Sequence, residues 1–263
     1  MIELQSLSAG YGGASVLQDI SLTVPAGQLL ILVGPNGCGK STLLKALAGL
    51  LPPMEGRILL NGQDAAALTS RQRAQTVAYL PQSRPLPELT ALQLVLHGRF
   101  PYLGYPRRYK SADWDLARQA LEIMDAADLA ERSLSSLSGG QRQKVYLAML
   151  LAQDTPVVLL DEPTTFLDVS HQLQLLEQAR KLADGGKTVL AVLHDLPLAM
   201  ETADRLAVLS HGRLAAVGDP ETVYQSGCLD AIFRVGLRRF RADDGWHYYY
   251  ERRSDHGPFS PVP

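Results

Sequence analysis

The 263-residue sequence has only two cysteines, Cys38 and Cys228, too far apart to suggest a disulfide framework or a thiolate metal site, so a reducing compartment is expected. It also lacks a basic surplus. Lys and Arg number 25 against 27 Asp and Glu, which argues against an electrostatically driven nucleic-acid binder. Long apolar runs are missing: no uncharged stretch reaches the roughly 18 residues that span a bilayer, and Met1 to Gln5 lack the basic start of a signal peptide. A soluble chain is therefore expected. With 46% hydrophobic and 20% charged residues the composition is that of a folded protein. At this length roughly 75% of the unfolded surface can be buried, enough for one large domain or a core with a subdomain.

Short apolar runs are present, at Leu29 to Val33, Val77 to Leu80, Val157 to Leu160 and Thr188 to Leu193, with helical stretches between them. Continuous apolar strands of this kind suit a parallel sheet covered on both faces, so the class is α/β. Ile20, Leu22 and Val24 alternate with Ser21 and Thr23, which predicts an antiparallel patch beside that sheet. From residue 83 to 156 strand-like runs give way to helical patterns, after an extended linker punctuated by Pro81, Pro85 and Pro87. A Thr90/Gln93 capping box opens one helix there. A second runs from about Asp113 to Met124, with Leu116, Ala120, Leu121 and Met124 on one face. The expected organisation is a core of residues 1–82 and 157–220, a helical subdomain of 83–156 and a C-terminal extension of 221–263. In that extension Arg238 to Arg241 and Trp246 to Tyr250 flank Asp243-Asp244-Gly245 as a hairpin, and Ser254 to Pro263 form a loose tail.

The residues that carry chemistry begin with Gly34-Pro35-Asn36-Gly37-Cys38-Gly39-Lys40-Ser41, a phosphate-loop pattern directly after an apolar strand. The glycines let backbone N–H groups turn toward phosphate oxygens, the helix starting near Lys40 adds its positive end, and Lys40 adds a point charge. Ser41 is the expected Mg2+ ligand. Val157 to Leu160 ends in Asp161-Glu162, two carboxylates that a parallel sheet delivers to the same crevice. Asp161 then reaches the metal shell and Glu162 is the candidate base that polarises an attacking water. Leu137-Ser138-Gly139-Gly140-Gln141 is a second anion site: Ser138 and Gln141 form a capping box, and Gly139 and Gly140 expose N–H groups at a helix start. A spare phosphate site makes sense if it meets a nucleotide held by another subunit.

With these three motifs the chain resembles the nucleotide-binding subunit of ABC transporters over about residues 2 to 220. The resemblance implies a P-loop NTPase core that hydrolyses ATP with Mg2+, with Gly34 to Thr42 as the phosphate loop and Leu137 to Gln141 as the signature. It also implies four further roles. Tyr11 stacks on adenine, Gln82 in Tyr79-Leu80-Pro81-Gln82 contacts Mg2+ and senses the permease, Asp168 is the interfacial carboxylate of the D-loop, and His194 is the switch histidine at the γ-phosphate. Cys38 sits inside the phosphate loop, where another small residue fits.

The partners implied are a second copy in a head-to-tail ATP sandwich, a polytopic membrane permease and, indirectly, a substrate-binding protein, with no nucleic acid. The location implied is the cytoplasmic face of the inner membrane, peripherally. His97 to Leu103, Asp161 to Asp168 and Phe233-Arg234-Val235 look like the ATPases of iron-siderophore, haem and cobalamin importers, with an iron chelate first. A soluble ABC ATPase such as an iron-sulfur assembly scaffold and a simple phosphate-loop kinase are the alternatives. The kinase leaves the signature and Gln82 without a role. Arg99, Arg107, Arg108 and Lys110 form a basic cluster, expected near permease loops or anionic headgroups unless it is a solvated face.

Overall fold

The computed structural model describes residues 1–251 apart from 85, 166 and 244. The expected tail from Ser254 to Pro263 therefore lies outside the described residues, as do Pro85 of the linker, Phe166 of the Asp161 to Asp168 run and Asp244 of the hairpin turn. The strands are β1 (Ile2–Tyr11), β2 (Ala14–Val24), β3 (Leu29–Val33), β4 (Glu55–Leu60), β5 (Gln63–Asp64), β6 (Val77–Leu80), β7 (Val157–Asp161), β8 (Thr188–Val192), β9 (Arg205–Ser210), β10 (Arg213–Gly218), β11 (Gly236–Ala242) and β12 (Gly245–Glu251). The helices are α1 (Lys40–Ala48), α2 (Ser70–Thr76), α3 (Ala91–His97), α4 (Ser111–Ile123), α5 (Gly139–Gln153), α6 (Val169–Asp184), α7 (Leu196–Thr202), α8 (Pro220–Gln225) and α9 (Cys228–Phe233).

The central sheet has the order β10-β9-β3-β8-β7-β6, parallel throughout except for β10. Its inner strands β3, β7 and β8 are buried at every position because both faces are covered, whereas the edge strand β10 is partly exposed. Side chains of β3 divide accordingly. Leu29, Ile31 and Val33 enter one core with α3 to α7, whereas Leu30 and Leu32 enter a second with α1 and the strands β1, β2 and β4. The expected antiparallel patch is the edge of a four-stranded sheet, β2-β1-β4-β5. Register shifts after Leu4 and Leu7 break the alternation of β1, whose buried residues are Ile2, Leu4, Leu7 and Ala9.

Between β6 and β7 the described residues form helices and turns, tied by a bridge pair between Thr90 and Ser133. The Thr90/Gln93 capping box is present at the start of α3. In α4 the buried face is Asp113, Ala117, Ala120 and Leu121, while Leu116 is exposed. The expected face was thus rotated by one residue at its start, because Arg99 draws Asp113 inward through an ion pair of 3.2 Å. That contact also takes Arg99 out of the expected basic cluster, whose Arg107, Arg108 and Lys110 are exposed. Arg99 donates to the Ala152 carbonyl and stacks on Tyr102, so it belongs to the packing of this region, and Arg107 lies over the Phe100 ring.

The strands β11 and β12 pair from Gly236–Glu251 to Ala242–Gly245 and form the expected hairpin. It is fixed to the body by Arg239, which pairs with Glu221 and lies between the rings of Tyr224 and Trp246. The Leu196 N–H donates to Tyr250 Oη at 3.1 Å, so the hairpin holds the first turn of α7. Among the described residues no helix is long and apolar enough to cross a membrane.

Ile31 is fully buried at the centre of β3, paired with Ala191 and Leu206. Ile31→Ala is expected to cost about 2–5 kcal/mol of unfolding free energy, read as a lower urea midpoint with unchanged slope. A loss below about 1 kcal/mol would show that this strand is not the centre of the core.

Candidate functional site

Four parallel strands release their chains at one edge of the sheet. The turn after β3 runs from Gly34 to Gly39. Its geometry depends on two glycines: a Cβ on Gly34 would run into the Leu209 carbonyl, and Gly39 has φ +112°. Gly39 also caps α1 without a side-chain bond, which leaves the first N–H groups of this helix available to an anion. Lys40 is buried, and its ammonium donates to the carbonyls of Gly34 at 2.7 Å and Pro35 at 3.0 Å. Cys38 is buried in the same turn, and burial pushes its thiol up despite Lys40 nearby, so it is not poised as a thiolate.

At the end of β7 the two carboxylates differ in setting. Asp161 is buried, and its oxygens accept from Ser41 Oγ and from the Tyr79 hydroxyl, each at 3.1 Å. Burial raises its pKa above the ordinary carboxylate value, opposed by those two hydrogen bonds. Glu162 follows with φ +50°, a costly left-handed conformation for a non-glycine residue. Its carboxylate is held from both sides: His194 Nε2 lies 2.6 Å from Oε1, and the Gln82 amide N–H donates to Oε2. Gln82 leaves β6 and His194 leaves β8, so strand order alone brings these three together.

A cleft of about 380 Å³ is lined by Asn36, Gly37, Gly39, Lys40, Ser41, Thr42, Gln82, Glu162 and His194, together with Val16. Tyr11 is not among its walls. That ring is half-exposed at the end of β1, with the Lys45 ammonium of α1 at 5.9 Å. The signature lies elsewhere: Ser138 Oγ accepts from the Gln141 N–H at 3.2 Å and Gln141 Oε1 accepts from the Ser138 N–H at 3.0 Å, so the capping box is formed, but it opens α5 outside this cleft. Asp168 caps α6 by accepting from the His171 N–H, and the His171 ring lies against Gly140.

Sequence reasoning missed Tyr79 and His171. Tyr79 pairs with a carboxylate 82 residues away, which no local pattern signals. His171 stands three residues after Asp168, where its imidazole Nδ1 meets the same carboxylate oxygen at 2.7 Å, a spacing that a search for helix caps would have found.

The family model "ABC transporter" matches residues 17–165. The Probable siderophore transport system ATP-binding protein YusV of Bacillus subtilis (strain 168) is 42% identical over 90% of this chain and 87% of its own. A metal-chelate type ABC transporter solved in an inward-facing conformation superposes with a TM-score of 0.82 at 28% identity, covering 95% of this chain and 96% of that one. The dimeric bacterial ABC transporter cassette MJ0796 gives a TM-score of 0.74 at 27% identity, covering 84% of this chain and 99% of that one.

The raised pKa of Asp161 has a consequence for stability. Such a carboxyl binds protons more tightly in the folded chain, so it favours folding below its unfolded pKa, and that contribution is lost as pH rises through the folded value. Asp161→Asn keeps partners for Ser41 and Tyr79 without a buried charge. In the absence of divalent cation and nucleotide the variant is expected to be more stable than wild type at pH 7, with the gap closing toward acid pH. A lower denaturation midpoint for the variant at pH 7 would contradict the assignment.

Proposed function

The chain belongs to the ABC transporter family as an ATP-binding subunit, and from that premise we propose that it powers import of a ferric siderophore through a membrane permease. It is an ATPase coupled to transport, and like its family it works as a dimer on a membrane partner. The substrate class follows from the siderophore system of YusV and the metal-chelate transporter. A substrate-binding protein as further partner and the cytoplasmic face as location belong to the same reading. So does the division into a core of 1–82 and 157–220, a helical subdomain of 83–156 and an extension of 221–263.

The observation that carries the mechanism is the Glu162 carboxylate, clamped between Gln82 and His194 in the cleft of the phosphate loop. Glu162 is the base that orients the attacking water, Gln82 and His194 hold its two oxygens, and on this reading His194 also meets the terminal phosphate. Lys40 has two neutral carbonyls as partners, which a phosphate oxygen replaces with a charge-assisted bond. Ser41, Asp161 and the amide oxygen of Gln82 are hard oxygen donors of the kind that hold Mg2+ alongside phosphates and water. When bound, Mg2+ neutralises charge on the phosphates. Tyr11 takes the adenine at the end of β1.

The signature completes the site from the other subunit. Ser138, Gly139, Gly140 and Gln141 form a capped helix start outside the cleft of their own chain, and on this reading the N–H groups of Gly139 and Gly140, which the capping box leaves free, serve the nucleotide of the partner, with Asp168 alongside. Charge-assisted bonds of about 1.5–3 kcal/mol each then close the dimer while the γ-phosphate is present and are lost on hydrolysis.

Glu162→Gln is expected to bind ATP and dimerise while hydrolysis falls by about 10²- to 10⁴-fold, measured by phosphate release and by size-exclusion chromatography with ATP. Turnover within a few-fold of wild type would remove Glu162 from the role of base.

A further inference from the structure

A second connection runs from the segment of Gln82 to the loop of Glu162, by way of the signature helix. Arg84, two residues after Gln82, folds back so that its Nε donates to the Pro81 carbonyl at 3.0 Å. Its terminal N–H donates to Gln143 Oε1 at 2.8 Å, and its guanidinium lies 4.4 Å from the centroid of the Tyr146 ring. Gln143 stands on α5, five residues after Ser138, and is buried. Its amide N–H in turn donates to the Pro163 carbonyl at 2.7 Å, and Pro163 directly follows Glu162 with its left-handed backbone.

Two features set this chain of bonds apart from ordinary packing. Burial lowers the pKa of Arg84, and among the described residues no carboxylate pairs with it. A desolvated guanidinium that faces only an amide, a carbonyl and a ring is a poor way to gain stability, because an ion pair or an apolar side chain would do better. Both ends of the Gln143 amide are also used, the oxygen toward Arg84 and the nitrogen toward Pro163, so the group has one orientation and transmits direction.

We propose that Arg84 and Gln143 form a positioning relay that locks the glutamine loop, the signature helix and the Glu162 loop into one unit. Displacement of the glutamine loop then moves the signature helix and the backbone of Glu162 together. Neither residue lines the cleft of the phosphate loop. Both act through Glu162, whose side chain Gln82 already holds directly. The proposal rests on the ATPase reading above.

The test uses ATP hydrolysis by the intact chain, with kcat, KM for ATP and thermal midpoint measured for each variant. Gln143→Glu is the informative substitution. It gives Arg84 an ion-pair partner, which favours stability, but removes the donor to Pro163. The relay predicts that kcat falls about tenfold, with KM within twofold and the thermal midpoint equal or higher. Gln143→Leu and Arg84→Met should each lower kcat to a similar degree, and the double variant should be no worse than either single one. Wild-type kcat in Gln143→Glu, or losses that multiply in the double variant, would overturn the relay. Absence of hydrolysis by the wild-type chain would instead overturn the ATPase reading.

Discussion

Parallel alignment of β3, β6, β7 and β8 is the constraint on which the site depends. Each strand ends at the same edge of the sheet, and each delivers one component there: the phosphate loop after Val33, Gln82 after Leu80, Asp161 and Glu162 at the end of β7, and His194 after Val192. A ladder with one strand reversed would send its component to the opposite edge. The strands are apolar on both faces because two cores grip them, one beneath α1 and one beneath α3 to α7. The same packing that stabilises the sheet therefore fixes the spacing of the lysine, the carboxylates and the imidazole.

On the proposed function, what this edge holds is half of a working site. Lys40, Ser41 and Glu162 line one cleft, while the exposed N–H groups of Gly139 and Gly140 open a different helix. In the reading proposed above, one chain carries a phosphate cradle and, elsewhere, a phosphate clamp for a second copy. Contacts within the chain keep the two halves in step. The His171 ring, whose Nδ1 meets the Asp168 cap of α6, lines one hollow with Gly140, and Arg84 with Gln143 joins the segment of Gln82 to the same helix that the signature begins. At the far side the C-terminal hairpin holds the start of α7, two residues after His194, through Tyr250.

Much of this was legible in the sequence, for local reasons. Leu29 to Val33 and Val77 to Leu80 are continuous apolar runs, and their strand limits match because burial on both faces leaves no polar interruption. The phosphate loop and the capping boxes at Thr90 and Ser138 depend on residues within a few positions of each other, so spacing alone exposes them. The strands β1 and β4 were harder to see, since register shifts in β1 disturb the period-two pattern and β4 buries only Ile58 and Leu60. The β9 strand escaped notice, although its buried stretch, Leu206 to Leu209, is as long as the run from Val77 to Leu80. Helix α4 shows how a correct helix can have its face misplaced when a buried ion pair, Asp113 with Arg99, replaces an apolar contact. Tyr79 with Asp161, and Arg84 with Gln143, join residues far apart in the chain, and only the folded sheet brings them together.

The central claim is that each ATP is shared between the phosphate loop of one copy and the signature of another. Mixing two inactive variants, Lys40→Ala and Ser138→Arg, tests it most directly. Their heterodimer places both defects in one composite site and leaves the other intact, so hydrolysis in the mixture is predicted to rise well above that of either preparation alone. Activity equal to the average of the two separate preparations would contradict the shared site.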